Sequence, residues 1–467
     1  MYITTTIPYV NARPHIGFAL EIVQADVLAR RHRLRGESVR FQTGTDDNSL
    51  KNVLAAEAEG VPVTELVERN ARAFEGLREV LNLSFDAFVR TSTDASHRAG
   101  VERLWHACAD DLYQRHYEGL YCVGCEQFYT EGPCPDGHAA PLQKVSERNW
   151  FFRLSRYQDA VADLIRSGKL RIEPKERRNE VLAFVEAGLD DISISRSAER
   201  ARGWGIPVPG DPSQVVYVWW DALANYVTAL EDYEQWWVRE QRKAHLVGKG
   251  VIRFHAVYWP AMLLSAGEPL PDEILVHDYL TVDGRKISKS AGGAQDPAEL
   301  VERYGEDAVR WWLLREVPRV GDVDFTEERL VARFDEELAN GVGNLVNRVV
   351  TMVHRFCDGQ APALAPEPLP ACVEVADLVD SALDGFDFRR ATGAIWAIVE
   401  EANRFVENVR PWKLEDPSAA LATLVHACRT LAVQLEAFLP TAAARVAAQV
   451  EGVRLPPPAP LFARLGR

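Results

Sequence analysis

The chain has no uninterrupted apolar run of the roughly 18 residues needed to cross a bilayer. It also lacks a signal-like start, because Met1-Tyr2-Ile3 runs directly into a strand-like segment. A soluble, cytoplasmic protein without membrane contact is therefore expected. Excess positive charge is missing too. A net charge of −15 excludes non-specific nucleic-acid binding through a bulk basic field, while leaving room for a local basic surface that neutralises a few phosphates. Arg30, Arg31, Arg33 and Arg35 form one such cluster, for which a solvated helix face is the ordinary reading. Seven cysteines in 467 residues are too few for a disulfide framework. Four of them, Cys108, Cys357, Cys372 and Cys428, are scattered in apolar surroundings and read as small buried hydrophobes. No internal repeat is visible.

A chain of 467 residues is too long for one core, so two to four domains are expected. Residues 1–113 alternate short apolar runs with amphipathic helical stretches. Tyr2 to Thr6 and Val39 to Thr43 read as strands, and 71–83 as a helix. That rhythm predicts a parallel α/β core. A Gly-, Pro- and Cys-rich stretch over 114–210 interrupts it and ends in the turn-rich 205–210. Strand signals resume at 215–219 and 245–248, so 211–290 is expected to complete the same sheet. The segment 291–326 contains Asp296-Pro297, an N-cap followed by a first-position proline. From 327 to 467 the text is almost wholly helical. Three long segments are bounded by a Pro-rich loop at 360–370 and by Glu415-Asp416-Pro417, and the Ala- and Leu-rich 419–450 suits a packed bundle. The expected fold class is α/β: a Rossmann-like parallel sheet, split by an insertion and followed by an α-helical bundle.

Candidate site residues sit at the joints of this plan. His15, between Pro14 and Gly17, stands where a helix opens. A helix N-terminus offers unpaired N–H groups and a positive dipole end to a phosphate. Gly17 would let a nucleotide approach the backbone. A capping histidine without a ligand fits the fragment as well. Lys286 and Lys289 flank Ile287-Ser288 after the turn Asp283-Gly284. Such a cationic loop can fold over a triphosphate and offset charge on a pyrophosphate leaving group, or it can be an ordinary solvated loop. Asp46, in Thr43-Gly44-Thr45-Asp46-Asp47, follows the second strand. Ligands of open α/β sheets collect at the carboxyl ends of strands, so this carboxylate is placed either to bind an ammonium group or to cap a turn. The stretches 218–226 and 254–260 are rich in aromatic residues. These could wall a pocket for an apolar, sulfur-containing side chain, or simply fill a core. Cys122-x-x-Cys125 followed by Cys134-x-x-x-His138 has the ligand types of a closed tetrahedral zinc site. A redox pair at Cys122 and Cys125 would leave Cys134 and His138 unexplained. Asn344 and Arg348 are four apart on a helix and share a face, and Trp412 follows Pro411. Together an amide, a guanidinium and an indole can read and stack an unpaired RNA base; separately they are surface residues and a buried Trp.

The segments Pro14-His15-Ile16-Gly17-Phe18 and Lys286-Ile287-Ser288-Lys289-Ser290, in that order, resemble the two signature motifs of class I aminoacyl-tRNA synthetases. Nearly the whole chain resembles methionyl-tRNA synthetases. The likeness covers Ile7-Pro8-Tyr9-Val10-Asn11, Thr43 to Asp46, the cysteine knuckle, Asn179-Glu180-Val181, 192–196, 216–226, Val247-Gly248-Lys249, 280–290, 343–348 and 410–414. It implies activation of methionine with ATP and Mg²⁺, then esterification of a methionine tRNA. His15, Lys286 and Lys289 would be catalytic, and Asn11, Gly17 and Gly248 would join them in holding ATP. Asp46 would bind the substrate amino group, within a methionine pocket of Ile7, Tyr9, Trp219, Ala222, Tyr226, Phe254, His255 and Trp259. Asn344, Arg348 and Trp412 would read the anticodon. Structural Zn²⁺ would sit on Cys122, Cys125, Cys134 and His138, inside a connective insertion. The domain roles that follow are catalytic for 1–113 and 211–290, connective for 114–210, stem-contacting for 291–326 and anticodon-binding for 327–467. No extension follows the bundle text, so a monomer is expected.

The chain departs from the family pattern at several places. Phe18 replaces a histidine that would touch the ATP phosphates, a lost contact worth roughly 1.5–3 kcal/mol or a ten- to hundredfold slowing. Asp47-Asn48-Ser49 stands where Glu-His-Gly is usual, and Gly250 replaces an aspartate. Three residues rather than two separate Cys134 from His138. These changes keep two alternatives in view: a divergent paralogue with the same adenylation chemistry on another amino acid or acceptor, and a catalytically silent tRNA-binding protein.

Overall fold

The structure, a computed structural model, describes residues 1–122, 127–129, 133–134, 142–282, 284–286 and 295–466, with 127–129, 285 and 286 as backbone. By contacts the chain forms two compact units. The first comprises Met1–Pro14, Gln42–Glu75 and Asp86–Val276; the second comprises His15–Phe41, Gly76–Phe85 and His277–Arg467.

The first unit is built on a six-stranded sheet in the spatial order Ala87–Arg90, Arg40–Thr45, Tyr2–Thr5, Lys243–Gly248, Glu273–His277, Arg171–Glu173. Its third and fourth strands in that order illustrate the construction. Tyr2–Thr5 lies at the centre and pairs in parallel with a strand from beyond the insertion, from Tyr2 opposite Lys243 to Thr5 opposite Leu246. Arg40–Thr45 runs parallel to Ala87–Arg90, and Glu273–His277 parallel to Arg171–Glu173. The central strands are buried along almost their whole length, as expected of parallel strands covered on both faces. Their polar side chains pair with one another: Thr5 Oγ1 lies 2.7 Å from Thr43 Oγ1, and Thr4 Oγ1 lies 2.6 Å from His245 Nδ1. Gly44 is required by the close approach of strands, because a Cβ there would lie 2.3 Å from the Val89 carbonyl oxygen.

Antiparallel pairing interrupts the α/β alternation between Leu112 and Ser193. This stretch holds a long antiparallel pair, Leu112–Cys122 with Gln143–Phe152, flanked by Gln127–Tyr129 and Ile192–Ser193. It also sends Arg171–Glu173 back to the edge of the main sheet. One local expectation fails here. Val215 to Trp219 is not a single strand: the strand is Asp211–Val216, and Val218–Thr228 is a helix. Val and Trp suit strands by propensity, but Trp220, Leu223, Ala224 and Val227 recur at helical spacing and are all buried, so packing decides.

The second unit is mainly helical. It opens with Ile16–Leu34 and includes a small sheet in which Leu280–Val282 lies between Arg285–Lys286 and Val323–Asp324. Asp296 caps Pro297–Tyr304 as expected, accepting from the Ala298 N–H at 2.9 Å. The bundle has more helices than the three long segments expected. Asn344–Cys357, Pro370–Asp384, Phe388–Val409, Ser418–Leu435 and Pro440–Val450 are separate. Pro440 starts a new helix inside the Ala-rich run, and Pro411 follows the end of Phe388–Val409. Ser418–Leu435 is long and apolar enough, by composition alone, to span a membrane. It is interrupted by His426 and Arg429, and 67% of it is buried inside the protein.

Of the arginine cluster, Arg35 is exposed at the end of Ile16–Leu34, but Arg30, Arg31 and Arg33 are not a solvated face. Arg30 bonds Asp26 and the Asn82 carbonyl, Arg31 bonds Asp380 and Gln434, and Arg33 bonds Ser84. Buried Arg310 reaches the same Asp26 at 2.9 Å and donates to the carbonyls of Leu81 and Phe438. These guanidiniums fasten the helix that begins after His15 to the bundle, each through several oriented hydrogen bonds.

Candidate active site

Within the first unit, the residues expected to form a pocket do converge. The Trp219 and Phe254 rings stack with centres 3.8 Å apart, and Tyr9 meets Trp219 edge-on at 6.5 Å. His255 stands edge-on to Trp219, and Tyr226 packs against His255 and Trp259. Ile7, Ala222, Tyr226, Phe254, His255 and Trp259 are buried, while Tyr9 and Trp219 are partly exposed. The indole N–H groups of Trp219 and Trp259 meet no acceptor among the described residues. Such a wall favours a polarisable apolar side chain over one carrying charge.

The Val251 carbonyl, which can only accept, lies 2.9 Å from His255 Nδ1, so that nitrogen carries the proton. Nε2 lies 2.7 Å from the Tyr226 hydroxyl, which also reaches the Thr5 carbonyl at 3.4 Å. Beneath them His245 stacks on Tyr226 with ring centres 4.1 Å apart. Burial, reinforced by His255 and Lys243, pushes His245 well below its ordinary value of 6.5.

Asp46 is buried just past the end of Arg40–Thr45, where a β-bridge joins it to Tyr9. Its N–H donates to the Pro8 carbonyl at 3.0 Å, one residue before Tyr9. Lys51 Nζ lies 4.6 Å from the Tyr9 ring centre. Behind Asp46 is a polar cluster that motif reading missed. Asp47 accepts from Thr45, Arg90 and Ser92, although burial pushes its carboxyl up. Asn48 donates to Asp221, and Asp221 also meets His97. Asp221 lay in plain view inside the aromatic motif; His97 carries no sequence signal. Asn11 and Gly248, expected at the nucleotide, are partly exposed in this unit, Asn11 in the segment after Tyr2–Thr5 and Gly248 at the end of its strand.

In the second unit, His15 is the N-cap of Ile16–Leu34, with Nδ1 accepting from the Gly17 N–H at 3.1 Å. A Cβ on Gly17 would fall 2.9 Å from the His15 ring, so this glycine is what lets the histidine lie over the helix start. The Ile16 N–H donates to the Gln295 carbonyl at 2.9 Å. Lys286 pairs with Thr281 at the end of a short hairpin, and Lys289 lies outside the described residues. Phe18 is buried in the first turn of the helix.

At the bundle, Asn344, Arg348 and Trp412 line one surface cavity of about 550 Å³ together with Asn347, Arg355 and Phe356. The Arg348 guanidinium lies 5.5 Å from the Trp412 ring centre, and Trp412 is 43% exposed. Exposed aromatic area beside a guanidinium and two amides suits an unstacked base. Asn347 and Arg355 fall on the same helical face as Asn344 and Arg348, and that spacing could have marked them.

Of the four expected metal ligands, Cys122 and Cys134 are buried, and Cys125 and His138 lie outside the described residues. Among the described residues no group of three or more His, Cys, Asp or Glu is arranged to hold a metal ion. Cys108 and Cys428 are buried as expected, with burial pushing both thiols up to about 12. Cys357 and Cys372 are only partly buried.

Residues 1–144 and 137–350 match the family model of tRNA synthetases class I (M). The methionine--tRNA ligase of Brucella suis biovar 1 (strain 1330) is 41% identical over 469 residues, 95% of this chain and 90% of that protein. That of Rhizobium meliloti (strain 1021) is 40% identical over 494 residues, covering 100% and 94%. Among solved structures, Mycobacterium tuberculosis methionyl-tRNA synthetase bound by methionyl-adenylate superimposes with a TM-score of 0.90 at 37% identity, covering 99% of each chain. The apo form of the Mycobacterium tuberculosis enzyme gives 0.83 at 35% identity, covering 99% of this chain and 97% of the other.

The depressed His245 gives a stability prediction of definite sign. Above its ordinary value of 6.5, neither the folded nor the unfolded chain holds the proton, and the contribution is whole. As pH falls from there toward the lowered folded value, the unfolded chain alone takes up a proton. Stability then drops by at most about 1.4 kcal/mol per pH unit from this group. His245→Asn should flatten the fall in urea midpoint between about pH 7.5 and 5.5 relative to the parent chain. Parallel pH curves for the two proteins would contradict the assignment.

Proposed function

We propose the residue roles of this chain from one premise: it belongs to the methionyl-tRNA synthetases of class I, as its family match and its full-length relatives establish. It is a methionine--tRNA ligase, which activates methionine with ATP to methionyl-adenylate and transfers the methionyl group to tRNA. The observation that carries the assignment of roles is a buried Asp46 bridged through its backbone to Tyr9, whose ring meets the Trp219–Phe254 stack.

In this reading Asp46 receives the methionine ammonium group. Tyr9, Trp219, Ala222, Tyr226, Phe254, His255 and Trp259, with Ile7, enclose the thioether chain, whose sulfur gains from aromatic contact. A carboxylate oxygen of methionine forms a bond to the α-phosphorus of ATP as the bond to pyrophosphate breaks. His15, lying over the helix start with Gly17, takes the phosphates, joined by Asn11 and Gly248. Lys286 and Lys289 offset the charge that grows on the departing pyrophosphate. Magnesium enters as the ion of the nucleotide substrate. A ribose hydroxyl of tRNA then attacks the adenylate carbonyl and AMP leaves with the bonding pair. Asn344, Arg348 and Trp412 read the anticodon.

Zinc is assigned a structural place on Cys122, Cys125, Cys134 and His138. The burial of Cys122 and Cys134 fits ligands of a closed site for a soft ion. Elemental analysis should find about one zinc per chain, lost in Cys125→Ser. A zinc content unaffected by that change would remove the assignment.

Charging of a methionine tRNA tests the whole reading. Trp412→Ala should raise KM for tRNA about ten- to hundredfold, the cost of one lost base stack, and leave methionyl-adenylate formation unchanged. Adenylate formation without charging of any methionine tRNA would favour the divergent paralogue, a reading to which Phe18, Asn48 and Gly250 lend weight.

A further inference from the structure

We propose that Asn48, Asp221 and His97 act as positioning residues that lock the ammonium-binding carboxylate to the aromatic helix of the methionine pocket. The inference rests on the reading of Asp46 as the ammonium ligand. Asn48 touches both parts. Its backbone N–H donates to Asp46 Oδ1 at 3.2 Å, and its side-chain amide donates to Asp221 Oδ2 at 2.7 Å and to the Thr91 carbonyl at 3.3 Å. The other oxygen of Asp221 lies 2.6 Å from His97 Nε2, and His97 Nδ1 lies 2.7 Å from Thr228 Oγ1.

Asp221 and Thr228 sit two turns apart on Val218–Thr228, so one imidazole grips both ends of a helical face. Trp219, Ala222 and Tyr226, the pocket residues of that helix, lie within or beside the gripped span. The grip cannot slide, because helix Ala95–Ala107 meets Thr228 through Gly100, where a Cβ would lie 2.3 Å from the threonine methyl.

Asp221 and His97 are fully buried, with 1% and 0% exposure. A buried carboxylate must be met by donors, and here two arrive from different directions. One comes from the turn that holds Asp46 and one from a neighbouring helix. The position of Asp46 is therefore tied to the aromatic helix through hydrogen bonds between protein groups. Asn48 stands where the resembling family usually has histidine. The structure shows that its short amide still closes the link, so this departure conserves a donor.

Removing the amide should weaken amino-acid binding selectively. Asn48→Ala is expected to raise KM for methionine about tenfold or more while KM for ATP changes less than about threefold, and Asn48→His should restore most of the loss. A second readout isolates the ammonium contact: inhibition by the desamino analogue of methionine, compared with the binding of methionine itself. The preference for the amine should shrink in Asn48→Ala and in His97→Gln, the variant to use if Asn48→Ala fails to fold. If Asp46→Asn leaves that preference intact, the reading of Asp46 fails. If Asp46→Asn abolishes it while Asn48→Ala and His97→Gln keep it, the positioning role alone is overturned. Equal losses for methionine and ATP in Asn48→Ala, not rescued by Asn48→His, would also overturn it.

Discussion

The first unit depends on one pairing, the parallel contact of Tyr2–Thr5 with Lys243–Gly248 at the centre of the sheet. Everything between these strands is an excursion that must return for the sheet to close. Closing so long a loop costs entropy, and that cost is offset by burying both strands and by cross-links that only the closed sheet permits. Thr4 finds His245, Tyr2 Oη donates to the Tyr226 carbonyl at 2.9 Å, and the terminal ammonium reaches Glu240. The pocket stands on this floor. His245 and Tyr226 are placed by the same pairing, and Asp46 projects from the end of a strand in the same sheet. Without closure, the carboxylate and the aromatic wall would belong to unrelated parts of the chain.

The pocket separates charge from apolar surface. Burial favours the neutral form of His245, and the Val251 carbonyl beside His255 Nδ1 fixes a proton on that nitrogen. A carboxylate stands at one end. That division suits an amino acid whose side chain is long, unbranched and uncharged, and it leaves the ammonium group as the main source of electrostatic orientation. Apolar pockets alone discriminate by only a few kcal/mol, so the rigidity of the wall matters as much as its composition. The second unit solves a different problem. There a histidine is laid over a helix start by a glycine that has no room for a Cβ, and the Gln295 carbonyl accepts from an N–H of the same turn.

Much of this was legible in the residues. The capped helix at Asp296-Pro297, the convergence of aromatics after Val218 and the shared face of Asn344 and Arg348 all follow from local chemistry. Other features were not. Arg171–Glu173 carries no local sign that it will complete the main sheet, because three residues of mixed polarity acquire a strand's identity only from the partner beside them. Arg31 and Arg33 read as solvated until the bundle and the 76–85 segment supply their acceptors. Val218-Trp219 looks like strand because propensity says so, and only burial at helical spacing reveals the helix. His97 is a lone histidine whose role depends on an aspartate far along the chain.

The most direct test of the account is ATP–pyrophosphate exchange measured across the twenty amino acids. A carboxylate set beside a neutral aromatic wall predicts exchange dominated by methionine, with charged and β-branched amino acids close to background. Exchange driven by another amino acid, or none with any, would contradict the chemistry assigned to this pocket.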